Sequence, residues 1–521
     1  MSLPAEGRAP SDVLAELRDL CRGDVPTHGA STMAYVYDSG LGWLDELAAT
    51  AQAQYQWTNA LDPTAFPSVA AMENDVVAAA CELLGGDERT VGTFTAGGTE
   101  SCLLAVLAAR ERLRARRPDV VRPRLLLPVT GHAAFRKAAH LFGLSVVDLP
   151  VDPSTCRVDP STVDGALTDD TALVVVSAPS YPHGVLDPVA EVAALAAARE
   201  VACHVDACIG GWVLPFLREA GEAVPPFDLS VPGVSSLSVD LHKYGYTPKG
   251  ASILLVADAE LRRGHYFVTA GWPGYPVVNP TLAGTRPAAP LAAAWATMQA
   301  LGHDGYRRLA LQARAATLEL TAGIRAIPGL RILGEPAGAL LAITSAGANT
   351  ADASAGAGGS GGSGSGGGSG GGSSGSAGVD VLVVADEMRA RGWVLQPQPA
   401  HRDLPPTLHL TLTAASAPRV PALLSDLSDS VVAARAQPPA VPDPQLVAAA
   451  GQVDLATLTP ELVTELLALA GLGRDGTLPQ RMAPVHALLG VLPASLAERL
   501  LAEVIGRVYG GAPRPDPLPG E

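Results

Sequence analysis

From residue 90 to residue 257, short apolar runs alternate with amphipathic stretches, and this rhythm limits the chain more than any other feature. The runs are RLLLPV (124–129), LSVVDLP (144–150), ALVVVSAP (172–179), VACHVDA (201–207), SSLSVDL (235–241) and ASILLVA (251–257). Helix-like segments at 99–117, 133–142 and 188–200 separate most of them. Near-continuous apolar strands joined through helices predict a largely parallel sheet covered on both faces. The fold class is α/β. A length of 521 residues predicts two or three lobes around sizeable cores.

The flanks divide the rest. Residues 11–56 read as mainly helical, and 68–84 has helical spacing closed by Gly85-Gly86. A helical stretch at 290–327 leads out of the sheet lobe into a smaller α/β unit. That unit has strands at 330–336, 339–345 and 407–413, a helix at 380–391 and a last helix at 416–436. Inside it, 353–378 is almost wholly Gly, Ser and Ala, a coil that buries no core and reads as a surface insertion. After a Pro-rich joint (438–445), helices at 459–471 and 494–509 close the chain. The expected domains are a helical arm (1–60), a large domain (61–305), a small α/β domain (306–440) and a helical extension (441–521).

Charge and apolar patterning exclude some partners. Lys plus Arg is 36 against 52 Asp plus Glu, a net charge of −16. Such a surface repels nucleic acid and anionic membranes. No run reaches the ~18 apolar residues of a membrane span, and the first residues carry no signal-peptide pattern. Six scattered cysteines form no CxxC pair and no zinc spacing, as in a reduced, cytoplasmic protein, and no metal site is expected.

The basic residues comprise 33 Arg and three Lys, at 137, 243 and 249. Arginine cannot lose its proton or form an imine, whereas a desolvated lysine can. Lys243 follows the strand run 235–241, at the carboxyl edge where open α/β sheets bind ligands. A surface lysine capping a turn is the alternative reading. Asp206 ends another strand and is a candidate carboxylate partner for a cofactor ring nitrogen; a helix cap or salt-bridge partner is the alternative. Gly97, Gly98 and Thr99 open a long helix, and amides at a helix amino terminus attract anions. His132 follows a strand and could stack on a flat ring or cap a helix.

In this order and spacing, these pieces resemble the pyridoxal-phosphate decarboxylases and lyases of the type I, aspartate-aminotransferase-like fold. The sphingosine-1-phosphate lyases are the most similar branch. The matching segments are TAGGTES (95–101), HAAFRKAA (132–139), SAPSYPHGVLDP (177–188), HVDACIGG (204–211), SVDLHKYGYTPKGAS (238–252) and GTRP (284–287), within a likeness spanning roughly 25–510. The resemblance implies a mainly parallel, seven-stranded large-domain sheet and a smaller carboxyl-terminal α/β domain. It implies pyridoxal 5′-phosphate held by Lys243, with Asp206 on the pyridine nitrogen and His132 over the ring. Gly97, Gly98, Thr99 and Ser177 would complete the cofactor site, and His242 would line it. Tyr37 and Lys249 match substrate-contacting positions. Gly284 and Thr285 would reach the cofactor phosphate of a partner subunit, making a homodimer with shared sites.

The implied reaction is carbon–carbon cleavage of a 2-amino alcohol by retro-aldol chemistry, through a Schiff base of its amine with the cofactor. Two departures bear on the substrate. Where the lyases carry Asn-x-Leu-His-Pro, this chain has Asn59-Ala60-Leu61-Asp62-Pro63. A carboxylate there would repel a phosphate unless Lys249 or Arg286 offsets it. No membrane anchor like that of the eukaryotic lyases is expected, as in soluble bacterial forms. An amino-acid decarboxylase acting on the same imine is the alternative reaction. A non-catalytic dimer that keeps the fold is the alternative class.

Overall fold

The computed structural model describes residues 3–347, 378–442, 444–453, 458–469, 471 and 478–509. The expected Gly/Ser coil at 353–378 lies outside them except for Gly378.

Seven strands form the large sheet: β1 (Val91–Thr95), β2 (Arg124–Pro128), β3 (Ser145–Leu149), β4 (Thr171–Ser177), β5 (Ala202–Asp206), β6 (Val234–Asp240) and β7 (Ser252–Val256). Their order is β1-β7-β6-β5-β4-β2-β3. Neighbours from β3 to β6 run parallel, while β7 is antiparallel to both β6 and β1. Six of the seven coincide with the expected runs. The exception is β1: VGTFT contains Gly92 and two threonines and has no apolar run, so pairing with β7 makes it a strand.

The strand period of two sorts side chains between two cores. Leu126, Val174, Val176, Cys203, Val205, Leu237 and Val239 face one core, beneath the helices Gly42–Tyr55, Pro67–Leu83 and Val189–Ala198. Leu125, Leu127, Leu173, Val175 and Ala202 face the other, beneath Gly98–Arg116 and Ala133–Phe142. Alternation therefore puts Ser177, His204, Asp206, Ser236, Ser238 and Asp240 on the second face. Each of the last residues of β4, β5 and β6 leaves a polar group at the carboxyl edge.

The helix expected at 290–327 spans Ala289–Arg325, interrupted at Gly302 (φ 57°). The arm expected as mainly helical holds two helices, Pro10–Leu20 and Gly42–Tyr55. Between them the chain is irregular, with positive φ at Gly29, Ala30, Tyr35 and Gly40. A two-stranded ribbon pairs β8 (Phe267–Thr269) with β9 (Val277–Asn279). The small sheet comprises β10 (Leu330–Ile332), β11 (Leu340–Ser345), β12 (Gln396–Gln398) and β13 (Thr407–Thr411), in the order β10-β11-β13-β12.

The chain divides into two compact units. One is Thr27–Thr344 with His409–Ser425; the other is Met1–Pro26, Ser345–Leu408 and Asp426–Glu521. Every site residue discussed below belongs to the first. In the second, Arg481 bonds Glu387, and Asp386 accepts the amides of Met482 and Ala483. Among the described residues no helix is long and apolar enough to cross a membrane.

Candidate active site

The carboxyl edge of the sheet opens into a cavity of about 550 Å³. Gly97, Gly98, Thr99, His132, Asp206, Asp240, His242 and Lys243 line it. The turn after β6 delivers Lys243. Its Nζ lies 2.8 Å from Oδ2 of Asp240, which is almost fully buried. Burial, the largest single effect, pulls the Lys243 ammonium down, but the charge and hydrogen bond of Asp240, with Tyr37 and Cys208, together outweigh it and the net shift is well upward. Burial likewise pushes Asp240 up, and the Lys243 cation, together with neighbouring His242 and hydrogen bonds from Lys243 and Ser252, more than reverses that. Without another partner for the amine, the pair is charged.

His242 precedes Lys243, with Nε2 3.6 Å from the same Asp240 oxygen. Burial depresses its pKa, the Asp240 anion raises it less, and the lysine cations add to the depression. His242 is thus a neutral base beside a charged pair. Its Nδ1 and Asp240 Oδ1 are buried without hydrogen-bond partners, polar groups suited to a bound molecule.

Asp206 ends β5, and its Cα is the register partner of Ser177 on one side and Ser238 on the other. Its Oδ1 accepts the Cys208 amide at 3.1 Å. His204, two residues back, bonds Ser236 Oγ at 2.8 Å and Ser238 Oγ at 3.2 Å. Burial lowers it to about 4, so it is a neutral core group.

The helix Gly98–Arg116 points its amino terminus into the cavity. Gly97 has φ +148°, and a Cβ on Gly98 would stand 2.6 Å from Asp240 Oδ2 and 2.9 Å from Cys208 Sγ. Gly98 therefore has room for backbone only, at a helix amino terminus whose unpaired amides attract anions. His132 combines both sequence readings. It is the amino-terminal cap of Ala133–Phe142, with Nδ1 accepting from Ala134, and its ring borders the cavity.

Tyr37 and Lys249 stand beside this group and are not among the lining residues. Lys249 Nζ donates to the carbonyls of Tyr35 (3.0 Å) and His242 (3.4 Å) and lies 5.0 Å from the Tyr37 ring centre. Burial pushes the Tyr37 hydroxyl to about 12, against the pull of Lys243. Ser177, Gly284 and Thr285 do not line the cavity either. Ser177 instead gives its amide to Asp187, while Leu282 does border the cavity. Asp62 is elsewhere. Its Oδ1 accepts from Thr64 and Ala65, and it borders a second cavity of about 590 Å³ with Arg286, Tyr266 and Tyr275. Arg286 is committed to Glu73 at 2.8 Å.

Sequence reading missed four polar lining residues: Asp240, Lys137, Tyr181 and Glu100. Asp240 was visible three positions before Lys243. Lys137 was visible in the scarcity of lysine: two of the chain's three lysine amines line this cavity and the third bonds a carbonyl at its edge. Tyr181, stacked on His409 at 4.2 Å, carried no local signal, because β13 supplies its partner.

The profile for the pyridoxal-dependent decarboxylase conserved domain matches residues 2–326. A second, described as "Pyridoxal-dependent enzyme, C-terminal putative HTH domain", matches 444–507. The sphingosine-1-phosphate lyase of Dictyostelium discoideum is 37% identical over 348 residues, 66% of this chain and 64% of that one. The chain thus spans less than two thirds of that relative. The lyase of Arabidopsis thaliana is 33% identical over 442 residues, covering 84% of this chain and 74% of that one. The solved structure of the Burkholderia pseudomallei sphingosine-1-phosphate lyase superposes with a TM-score of 0.74 at 34% identity, covering 84% of this chain and 93% of that one.

Proposed function

From the premise that the chain belongs to the pyridoxal-dependent decarboxylase family, we propose that it is a carbon–carbon lyase acting on a phosphorylated 2-amino alcohol of the sphingoid-base type. The observation that carries this is the convergence of Lys243, Asp206 and the 97–99 turn on one cavity. Its volume suits a small cofactor with part of a substrate.

These residues fit pyridoxal phosphate. Bound there, the cofactor supplies a protonated ring that draws electrons from the bond being broken. The 97–99 amides would hold its phosphate, Asp206 would keep the proton on its ring nitrogen, His132 would pack against the ring, and Lys243 would be the amine that anchors the aldehyde. Before it can attack, Lys243 must shed the proton that Asp240 stabilises. Neutral His242, which lines the cavity, is the base that can take the hydroxyl proton of the substrate as the carbon–carbon bond opens to an aldehyde, while Tyr37, a neutral phenol beside the cavity, can donate a hydrogen bond. Lys249 puts a cation at the same rim, where a phosphate-bearing substrate gains from it.

Asp62, outside its own chain's Lys243 cavity, raises no barrier there. Gly284 and Thr285 are also outside it, which supports their reading as residues that serve a partner's cofactor in a homodimer. Exposed Trp272, Tyr275, Phe267 and Val268, in the preceding stretch of chain, supply apolar surface for such contact. Six free cysteines support a reducing, cytoplasmic setting. Residues 444–507 carry four arginines against six carboxylates, which supports a role other than nucleic-acid binding.

The test is product analysis. Incubation with a phosphorylated sphingoid base releases a long-chain aldehyde if the proposal holds. Carbon dioxide from an amino-acid panel, with no aldehyde, replaces it with the decarboxylase reading. An Asp62→His variant tests that position: altered turnover of the phosphorylated base places Asp62 at a shared site, and unchanged turnover removes it from the account.

A further inference from the structure

Glu100 is the third residue of the helix Gly98–Arg116, and its carboxylate lines the cavity beside the 97–99 turn. An anion there works against a phosphate, since like charges disfavour each other. The carboxylate has another use. Oε2 accepts the Ala96 amide at 2.7 Å and Oε1 accepts the Leu282 amide at 2.9 Å. One side chain thus joins the turn before the helix to a segment 182 residues away. That segment is secured again further along. Asn59 Oδ1 accepts the Arg286 amide at 3.0 Å, and the Ala60 amide donates to the Arg286 carbonyl at 2.7 Å. The Arg286 guanidinium holds Glu73 and the Phe94 carbonyl.

We propose that Glu100 is a positioning residue. It clasps the 281–286 segment to the cofactor-phosphate turn, so that the turn and the Asn59–Asp62 segment hold their places together. The clasp contributes more to cofactor binding than its charge costs. This rests on the reading that the 97–99 turn takes the phosphate.

The experiment titrates apo-protein with pyridoxal phosphate and, separately, with pyridoxal, following absorbance. It compares wild type, Glu100→Ala and Glu100→Gln, with hydrogen exchange of the 281–286 amides alongside. In wild type, pyridoxal phosphate binding more tightly than pyridoxal supports the phosphate turn; equal binding sinks that reading, whatever Glu100 does. For Glu100→Ala the expected result is a loss of about tenfold in pyridoxal phosphate affinity, the scale of one charge-assisted hydrogen bond. Pyridoxal affinity changes less, and the 281–286 amides exchange faster. Glu100→Gln, keeping one acceptor oxygen, falls between. Unchanged or tighter pyridoxal phosphate binding in either variant, with exchange unaltered, overturns the proposal. If Glu100→Ala does not fold, Glu100→Gln decides alone: intermediate weakening supports the clasp and no weakening refutes it.

Discussion

Lys243 and Asp240 set each other's charge, 2.8 Å apart at the mouth of the sheet. The anion holds the amine's pKa up in a place where burial pulls it down. In Asp240→Asn, burial loses its main opponent and the Lys243 pKa falls. Each unit of fall raises the neutral fraction about tenfold, so apo-protein at neutral pH takes up pyridoxal phosphate faster. Stopped-flow absorbance measures this; an unchanged or slower rate contradicts the charge-pair account. At this scale much was legible. Lys243, Asp206, His132 and the 97–99 turn are expected by type and spacing, His242 through the family resemblance, and all reach one cavity. Tyr181 and Glu100 are not, because their partners come from β13 and the 282 segment, far along the chain.

Among elements, the amino terminus of Gly98–Arg116 is the most constrained. Gly98→Ala would drive a methyl into Asp240 and Cys208. The expected cost is about 1–3 kcal/mol of overpacking, with loss of cofactor retention. Gly165 is the control. It sits in the helix Pro160–Ala166, and a methyl group added there would meet nothing within 4 Å. Gly165→Ala should be neutral or stabilise by roughly 0.5–1 kcal/mol. Thermal melts of both variants, with retained cofactor measured by absorbance, check the pair; equal effects would contradict the geometry at Gly98. The parallel strands were legible because each is rich in apolar residues on both faces. β1, β8, β9 and β12 were not: β8, β9 and β12 are three residues each and β1 lacks an apolar run, so pairing, not composition, makes them strands.

Across the whole molecule, buried titrating groups set the response to acid. Burial pushes His183, His204 and His265 down to about 4 and His409 to about 3. The unfolded chain binds protons at these groups near the ordinary ~6.5, while the folded chain does not. Their contribution is full above that pH and is lost as pH falls toward 4. Asp187, raised to about 6 by burial, acts oppositely: its contribution is full below the ordinary carboxylate pKa and is lost as pH rises toward 6. Four groups outweigh one, so the melting temperature should drop between pH 6.5 and pH 4. A flat or rising profile would contradict this balance. The account as a whole turns on which amine holds the cofactor, and the chain's lysines are Lys137, Lys243 and Lys249. Borohydride reduction of the cofactor-loaded protein, followed by peptide mass mapping, asks this directly. The account predicts the reduced pyridoxyl group on Lys243. A group on Lys137 or Lys249, or on no lysine, would contradict it.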